Sequence, residues 1–356
     1  MIFNIIRKTR LIAAIVATVL IVAACNKDLP QPTPIEYPQP TGQSIAELIA
    51  ADTSYSFLKA AIARAGLNDL VSDKSKVLTV FAPNNNAFRG LLTALGLPPA
   101  EATIGALPIA TVNAIVSYHI IGGQALTSTV IPETFPNVQE PTNLVLSAPF
   151  FRMSVFPSKR GSALYANIIP VTAPDIAAAN GVIHGLPAVL VPPDKTLKQI
   201  IAADTSLSFF AVAIARADSG QVGLGRLDSV LNYPPVNFSV FAPVNQALRA
   251  LLASFGLPPV SGAINFLPVQ TVRGLVAYHL VGTRIYSVNV PPTAVPVPTL
   301  LQVSPTTPAL TIQLQNSGVF TAMGNANGGI PAPIVVANIN AVNGALHKLG
   351  GVLIPF

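Results

Sequence analysis

From residue 45 onward, apolar residues recur first at helical spacing and later at the alternating spacing of strands. The spacing predicts a helix over residues 53–65, with Asp52 as its N-cap and Gly66 as its stop. One face of this helix is apolar, formed by Phe57, Leu58, Ala61, Ile62 and Ala65. A short buried strand is predicted over residues 77–82.

The following residues predict two more helices and then mostly strands. A second helix is predicted after Asn84 or Asn85, with Gly96 as its stop, and a third over residues 109–116. Strand-like segments follow at residues 118–121, 144–146, 150–156, 168–171 and 182–191. A helical first half and a strand-rich second half, separated by turns, predict an α+β fold.

The whole pattern occurs twice. Residues 45–65 match residues 197–217 at 13 of 21 positions, and residues 79–99 match residues 239–259 at 13 of 21. The predicted domains are therefore residues 42–193 and 194–356, here named repeat 1 and repeat 2. Length agrees, since 356 residues suit two domains of ordinary size.

Three short motifs occur in both repeats in the same order. The first contains Phe-Ala-Pro, the second is Tyr-His, and the third is Asn-Gly-x-x-His followed by an apolar segment ending in Pro. In repeat 1 their residues are Phe81, Ala82, Pro83, Tyr118, His119, Asn180, Gly181 and His184. In repeat 2 they are Phe241, Ala242, Pro243, Tyr278, His279, Asn343, Gly344 and His347.

With these motifs, each repeat resembles a fasciclin (FAS1) domain. The resemblance covers nearly all of residues 42–356 and implies a β-sandwich or β-wedge core flanked by several helices. It also implies a structural role for the motif residues. One departure is that the family usually has Asp three residues after the closing His, where this chain has Pro187 and Gly350.

The N-terminal residues predict export and lipid attachment. Residues 1–24 combine three basic residues with an uncharged apolar stretch, which is typical of a signal peptide, and Cys25, the only cysteine, follows directly. This arrangement resembles a bacterial lipoprotein signal, with Cys25 as the lipidated residue; the alternative is an ordinary cleaved signal. Residues 25–41 are rich in proline and predict a semi-rigid tether. Lys27-Asp28 resembles the Lys-plus-acid signal that sends some bacterial lipoproteins to the outer face of the outer membrane, which implies that face rather than the periplasmic one.

Composition changes the picture only modestly. Apolar residues make up 51% of the chain and charged residues 10%, but 34 prolines and 24 glycines interrupt every apolar run after the signal. A single cysteine excludes an intrachain disulfide framework. Repeat 2 carries eight Lys/Arg and four Asp/Glu, but its basic residues are scattered, so we expect them on a solvated surface and expect no nucleic-acid partner.

Four histidines occur, two per repeat and all within the motifs, so a metal or acid–base site is conceivable. No carboxylate recurs beside both copies, and no Asp or Glu follows Asp228. We therefore expect buried structural imidazoles, no metal, no cofactor and no enzyme.

One pair of residues suggests binding. Animal members of the family use an Asp-Ile pair shortly before the Asn-Gly motif for receptor binding, and Asp175 and Ile176 take that place here. Repeat 2 has Asn338-Ile339 instead, and an unliganded strand edge is an equal alternative.

The resemblance and the lipoprotein signal together imply a membrane-anchored adhesion module that binds extracellular protein or polysaccharide. Two alternatives stay open. The first is an accessory subunit that holds glycan or partner lipoproteins for an outer-membrane transporter, and the second, weaker one is a hydrolase.

Overall fold

The computed structural model describes residues 41–147, 151–301, 309–315 and 320–355. Cys25 and almost all of the predicted signal and tether lie outside these residues. The helices of repeat 1 are α1 (Ile45–Ala51), α2 (Ser56–Ala65), α3 (Asn68–Ser72), α4 (Asn85–Ala94), α5 (Glu101–Ala106) and α6 (Ile109–Tyr118). Those of repeat 2 are α7 (Leu197–Ala203), α8 (Ser208–Ala217), α9 (Leu227–Leu231), α10 (Asn245–Ser254) and α11 (Val269–Tyr278).

The strands of repeat 1 form a large sheet and a small one. They are β1 (Leu78–Pro83), β2 (Ile120–Gly122), β3 (Glu140–Ser147), β4 (Phe151–Val155), β5 (Pro157–Arg160), β6 (Ala163–Ala166), β7 (Ile169–Pro170), β8 (Ala173–Ala178) and β9 (Gly181–Leu186). The order of the large sheet is β4-β3-β2-β1-β9-β8, and β5-β6-β7 is separate. β1 and β9 run parallel, and β8 lies at the sheet edge.

Repeat 2 has the same central pair of parallel strands, but all of its strands belong to one sheet. Its strands are β10 (Phe238–Pro243), β11 (Leu280–Val281), β12 (Val295–Val297), β13 (Leu310–Leu314), β14 (Phe320–Met323), β15 (Ala332–Ala341) and β16 (Gly344–Leu349). Their order is β11-β10-β16-β15-β14-β13-β12, and β10 and β16 pair in parallel as β1 and β9 do. Helices and sheet together confirm the predicted α+β class.

In each repeat, apolar residues of the helices pack against one side of the central strands and form a cluster there. In repeat 1 the face of α2 predicted from its spacing, including Phe57 and Ile62, lies against Val80 of β1 and Ile183 of β9. A second cluster forms on the opposite side of the sheet, with Phe81 at its centre. The central strands are therefore buried on both faces, which accounts for their mainly apolar sequences.

The capping residues explain where the helices begin and end. Asp52 accepts a hydrogen bond from the backbone N–H of Ser54, but the turn it caps is a 3-10 turn, Thr53–Tyr55, that precedes α2. Gly66 ends α2 with a φ of 71°, a left-handed conformation that suits glycine. Asn84 caps α4 through the backbone N–H of Ala87.

Two predicted boundaries were wrong. Tyr118 is the last residue of α6 and His119 caps its C-terminus, so the strand expected at residues 118–121 begins only at Ile120. β9 ends at Leu186, whereas a strand was expected up to residue 191. In both places the apolar sequence continues through the boundary, so spacing alone gave no signal for the change.

Not all basic residues of repeat 2 lie on a solvated surface, contrary to expectation. Arg284 is only 4% exposed, and its guanidinium donates to Asn237 Oδ1 (2.7 Å), Asn340 Oδ1 (2.9 Å) and the carbonyl of Ala341 (3.0 Å). The same guanidinium lies 4.8 Å from the ring centre of Phe156 in repeat 1. Neutral acceptors of repeat 2 therefore hold Arg284 in place, and its contact with repeat 1 is to the aromatic face of Phe156.

Within the described residues, no single helix is long and apolar enough to cross a membrane. One pair, Leu197–Ala203 with Thr205–Ala217, passes by length and composition only when taken together, and it bends by 96° at the break.

Candidate functional site

The asparagine of the Asn-Gly motif ties the beginning of each repeat to its end. Asn180 Oδ1 accepts from the backbone N–H of Ile45 (2.8 Å), and its Nδ2 donates to the carbonyls of Val71 (2.9 Å) and Asp73 (3.2 Å). Asn343 does the same in repeat 2, starting with the N–H of Leu197 (2.8 Å). Both amides are buried and use their donors and acceptors internally.

The histidine of the Tyr-His motif joins a helix end to the segment that closes the repeat. His119 Nε2 accepts from the backbone N–H of Leu190 (2.9 Å), so Nδ1 carries the proton that bonds the carbonyl of Ile115 (2.7 Å). His279 repeats this with Leu353 (3.0 Å) and Leu275 (2.8 Å). Both imidazoles are thereby fixed as the neutral Nδ1–H tautomer.

The closing histidine lies on the strand that pairs in parallel with the Phe-Ala-Pro strand. His184 is the register partner of Phe81, and the two rings stack with centres 5.5 Å apart. Its Nδ1 accepts from the backbone N–H of Asp175 (3.3 Å), and its Nε2 donates to the carbonyl of Leu126 (2.7 Å). His347 stacks on Phe241 in the same way, with ring centres 5.2 Å apart.

Neither pair of histidines forms a reactive centre. Burial lowers the pKa of His119, His279 and His347 to about 4, although a backbone carbonyl beside each ring raises it. Burial also lowers the pKa of His184. With both ring nitrogens of every histidine already bonded to backbone groups, none is available for a metal or for proton transfer. Among the described residues no group of three His, Cys, Asp or Glu side chains could hold a metal ion.

The remaining motif residues are also buried in the interior. Tyr118 donates to the carbonyl of Ser154 (3.1 Å), and burial raises its pKa to about 12. Tyr278 donates to the carbonyl of Ala309 (3.2 Å). In the Phe-Ala-Pro strands, Ala82 and Ala242 are buried in the core. Pro83 and Pro243 are the last residues of the parallel pairing, where they lie opposite Leu186 and Leu349.

The Asp-Ile pair lies on the surface, on edge strand β8. Asp175 has a φ of 58°, within a register shift between Ala173 and Ile176. Its Oδ1 accepts from the backbone N–H of Ser128 (2.7 Å), and its side chain is exposed. Burial raises the pKa of this carboxyl, but the hydrogen bonds from Ser128 outweigh it, so the net pKa lies below its usual value.

Repeat 2 explains why this position accepts either Asp or Asn. Asn338 has a φ of 63°, its Oδ1 accepts from the backbone N–H of Ser287 (2.9 Å), and its N–H donates to His347 Nδ1 (3.2 Å). Asp and Asn tolerate the left-handed conformation better than other residues with a side chain. The residue type is therefore set by the bulge, and only the negative charge is particular to Asp175.

A cleft of about 420 Å³ opens beside this pair in repeat 1. Apolar side chains line it together with three polar residues: Leu48, Ile49, Ile176 and Ile183, with Asp52, Thr53 and Tyr55. Burial, and after it the charge of Asp52, raises the pKa of Tyr55. Ile176 lines this cleft, whereas Asp175 beside it bonds to Ser128 and His184.

Comparison with known proteins gives the family. A family model described as Fasciclin domain matches residues 53–192 and again residues 222–355, which together are well over half of the chain. The chain belongs to the fasciclin domain family. The match confirms two fasciclin domains in tandem, and repeats 1 and 2 are called domains 1 and 2 from here on.

Individual relatives agree with this family. The chain is 32% identical over 186 residues to "Transforming growth factor-beta-induced protein ig-h3" of Sus scrofa, covering 51% of this chain and 24% of that protein. The chain thus spans about a quarter of the length of that relative. It is 27% identical over 157 residues to Protein sll1483 of Synechocystis, covering 43% of this chain and 76% of that protein.

A solved structure with similarity is that of a FAS1 domain pair from the insect cell adhesion molecule Fasciclin I. It covers 87% of this chain and 95% of that chain at 14% identity, with a TM-score of 0.38. None of the sequence matches given above indicates an enzyme family.

Other features of the fasciclin domains had not been predicted. Asn85 ties α4 to the preceding turn through the N–H of Phe57 (3.1 Å) and the carbonyl of Thr53 (2.9 Å), and Asn245 repeats this in domain 2. Both asparagines occupy the same place after Phe-Ala-Pro, which was the available signal. Domain 2 also has a cavity of about 820 Å³, lined mainly by apolar side chains such as Leu251, Phe255 and Leu275.

Proposed function

We propose that this fasciclin protein is a lipid-anchored binding module of the bacterial cell envelope that adheres to extracellular protein or polysaccharide and catalyses no reaction. The observation that carries the proposal is the bonding of the motif residues. The four histidines, Asn180 and Asn343 all bond to backbone groups within the domains. The motifs therefore build a scaffold, and ligands are bound by the surface this scaffold displays.

The best-formed surface for binding is the exposed edge of domain 1. β8 is the edge strand of the large sheet, where an extended partner segment can add. Asp175 places a carboxylate there in a fixed orientation, because its Oδ1 accepts from the N–H of Ser128 and its own backbone N–H donates to His184. Ile176 beside it is half-buried and adds an apolar contact. Such a surface binds by complementarity of shape and charge.

The experiment compares the full-length chain with its Asp175→Asn variant on an array of glycans and matrix proteins. Asparagine keeps the left-handed backbone and the bond to Ser128, as Asn338 does in domain 2, so only the charge is removed. We expect binding to weaken at least about tenfold, which is about 1.4 kcal/mol, with the melting temperature unchanged.

The matched control is Asn338→Asp, which adds the same charge to domain 2 on β15, a strand whose first residues pair with β14, whereas β8 is the edge strand of its sheet. It should leave binding unaltered. Full binding by Asp175→Asn would contradict a role for this edge, and no binding to any glycan or matrix protein by the original chain would overturn the proposed function itself.

The membrane attachment rests on Cys25, which follows an uncharged stretch of residues 11–24. In cells fed a labelled fatty acid, we expect the chain to take up label and the Cys25→Ala variant to take up none, because this is the only thiol available for acylation. Whole-cell protease treatment then tests the expected outward display. Equal labelling of both chains would show that the protein is not a lipoprotein of this type.

A further inference from the structure

The two domains differ in one ion pair that bears on ligand binding. In domain 2, Lys348 Nζ bonds Asp204 Oδ2 and lies 3.1 Å from Ser206 Oγ. The lysine and aspartate side chains are only 17% and 21% exposed. Burial raises the pKa of the Asp204 carboxyl, but the bonds from Lys348 and Ser206 outweigh it and the net pKa is lowered. The ammonium is therefore seated in a definite site.

Domain 1 has the same carboxylate without the lysine. Asp52 accepts from the N–H of Ser54 (2.8 Å) as Asp204 does from Ser206 (2.9 Å). The register places Gly185 opposite Ala82, where domain 2 places Lys348 opposite Ala242. No ion pair to Asp52 is formed by any of the described residues.

Tyr55 and Ala173 fill the space next to Gly185. A Cβ built on Gly185 would lie 2.8 Å from the hydroxyl of Tyr55 and 2.9 Å from the Cβ of Ala173, so no side chain fits at this position of β9. Domain 2 has Leu207 at the position equivalent to Tyr55. The domain 1 cleft of about 420 Å³ includes Ile176 and Ile183 of the sheet, whereas the pocket of about 310 Å³ beside Asp204 does not extend to the sheet.

The lining of the domain 1 cleft suits a lysine side chain. Leu48, Ile49, Ile176 and Ile183 provide apolar walls for a four-carbon stem, and Asp52 provides a carboxylate for the ammonium. None of the described residues bonds the hydroxyl of Tyr55, so its oxygen can accept from the same ammonium.

We propose that the Asp52 cleft of domain 1 binds a primary ammonium on an unbranched alkyl chain, supplied by a lysine side chain of a partner protein, with the ammonium paired to Asp52 as that of Lys348 is paired to Asp204 in domain 2. That the ammonium comes from a protein rests on the proposed binding function. That the cleft binds an ammonium is independent of this function, because it follows from the comparison of the two domains.

The test uses the full-length chain with labelled isoleucine methyl groups and N-acetyl-lysine-N-methylamide as the probe. We expect saturable NMR shifts at Ile176 and Ile183, with a dissociation constant on the order of millimolar for so small a ligand. The corresponding norleucine compound, which lacks the ammonium, should cause none. Asp52→Asn should weaken binding at least about tenfold, since asparagine keeps the cap on Ser54 but not the charge.

Domain 2 provides the matched experiment. Lys348→Ala should open a second site, so that the probe also shifts Ile200, which lines the cleft beside Asp204. Shifts that persist in Asp52→Asn, or that the norleucine compound reproduces, would overturn the proposal.

A second probe, 1,5-diaminopentane, tests whether the natural ligand is a small free amine instead of a lysine side chain. Equal or weaker binding than the blocked lysine supports a protein source, whereas binding tenfold tighter would overturn it. If the chain binds the probe but adheres to no matrix protein, the proposed function is refuted and the ammonium site is supported. If the chain adheres but does not bind the probe, the ammonium site is refuted and the proposed function is supported.

Discussion

Lowering the pH from 6.5 to 4 is expected to destabilise both domains, and domain 2 more than domain 1. His119, His279 and His347 are neutral in the folded chain with a pKa of about 4, because burial disfavours their charged form. In the unfolded chain they titrate near 6.5. Their contribution to stability is complete above pH 6.5 and is lost as the pH falls, by up to about 3 kcal/mol for each histidine. Domain 2 contains two of the three, so its loss of about 6 kcal/mol is comparable with the free energy of unfolding of an ordinary domain.

Urea denaturation at a series of pH values measures the effect. Each buried histidine should add a slope of about 1.4 kcal/mol per pH unit between pH 4 and 6.5. Asp175 and Asp204, whose pKa values are lowered, lose their contribution only below the ordinary carboxyl range and therefore act in a separate window. In the His119→Gln variant, the slope of the unfolding free energy against pH should be smaller by about 1.4 kcal/mol per pH unit, which corresponds to one proton. A stability that stays constant from pH 6.5 to 4.5 would show that the imidazoles are not held neutral.

Gly181→Ala is expected to destabilise domain 1 by more than about 3 kcal/mol. Gly181 has a φ of 140°, and a Cβ there would lie 1.8 Å from the carbonyl oxygen of Leu78 on the parallel strand. The two strands would have to separate at the point where Asn180 also fastens the domain. Differential scanning calorimetry should show the domain 1 transition at a much lower temperature, or absent.

Gly122→Ala is the matched control, because Gly122 pairs with the same Leu78 from the other side of β1. A Cβ at Gly122 meets no atom within 4 Å, so this change should alter stability by less than about 1 kcal/mol. Gly344→Ala should repeat the large effect in domain 2, where the Cβ would lie 2.2 Å from the carbonyl oxygen of Phe238. Equal transitions for Gly181→Ala and Gly122→Ala would contradict this explanation.

Local chemistry made part of the fold predictable. Gly66 and Asn84 act within a turn of their own position, so sequence was enough to place the end of α2 and the start of α4. Duplication made the domain organisation visible, since each motif could be checked against its copy. The helix ending at Tyr118 was not predictable in this way, because helix and following strand are equally apolar there.

The candidate site could be predicted only in part. Asp175 was identified by its place before the Asn-Gly motif, but the bulge that makes Asn its equivalent is set by pairing with a strand nine residues later. The cleft beside Asp52 was missed altogether. It depends on Gly185 and Tyr55, which are 130 positions apart and meet only in the folded domain. Comparing Gly185 with Lys348 in the alignment of the two repeats would have been the only signal.

The bond from Asn180 to Ile45 joins positions 135 residues apart, at the two ends of the domain. A ribosome adding about 5–20 residues per second needs on the order of 10 s to supply the second partner after the first. During that interval the apolar face of α1 has no β9 to cover it. Each domain therefore cannot close until its last strand has been synthesised, and the apolar face of its first helix stays uncovered for most of that time.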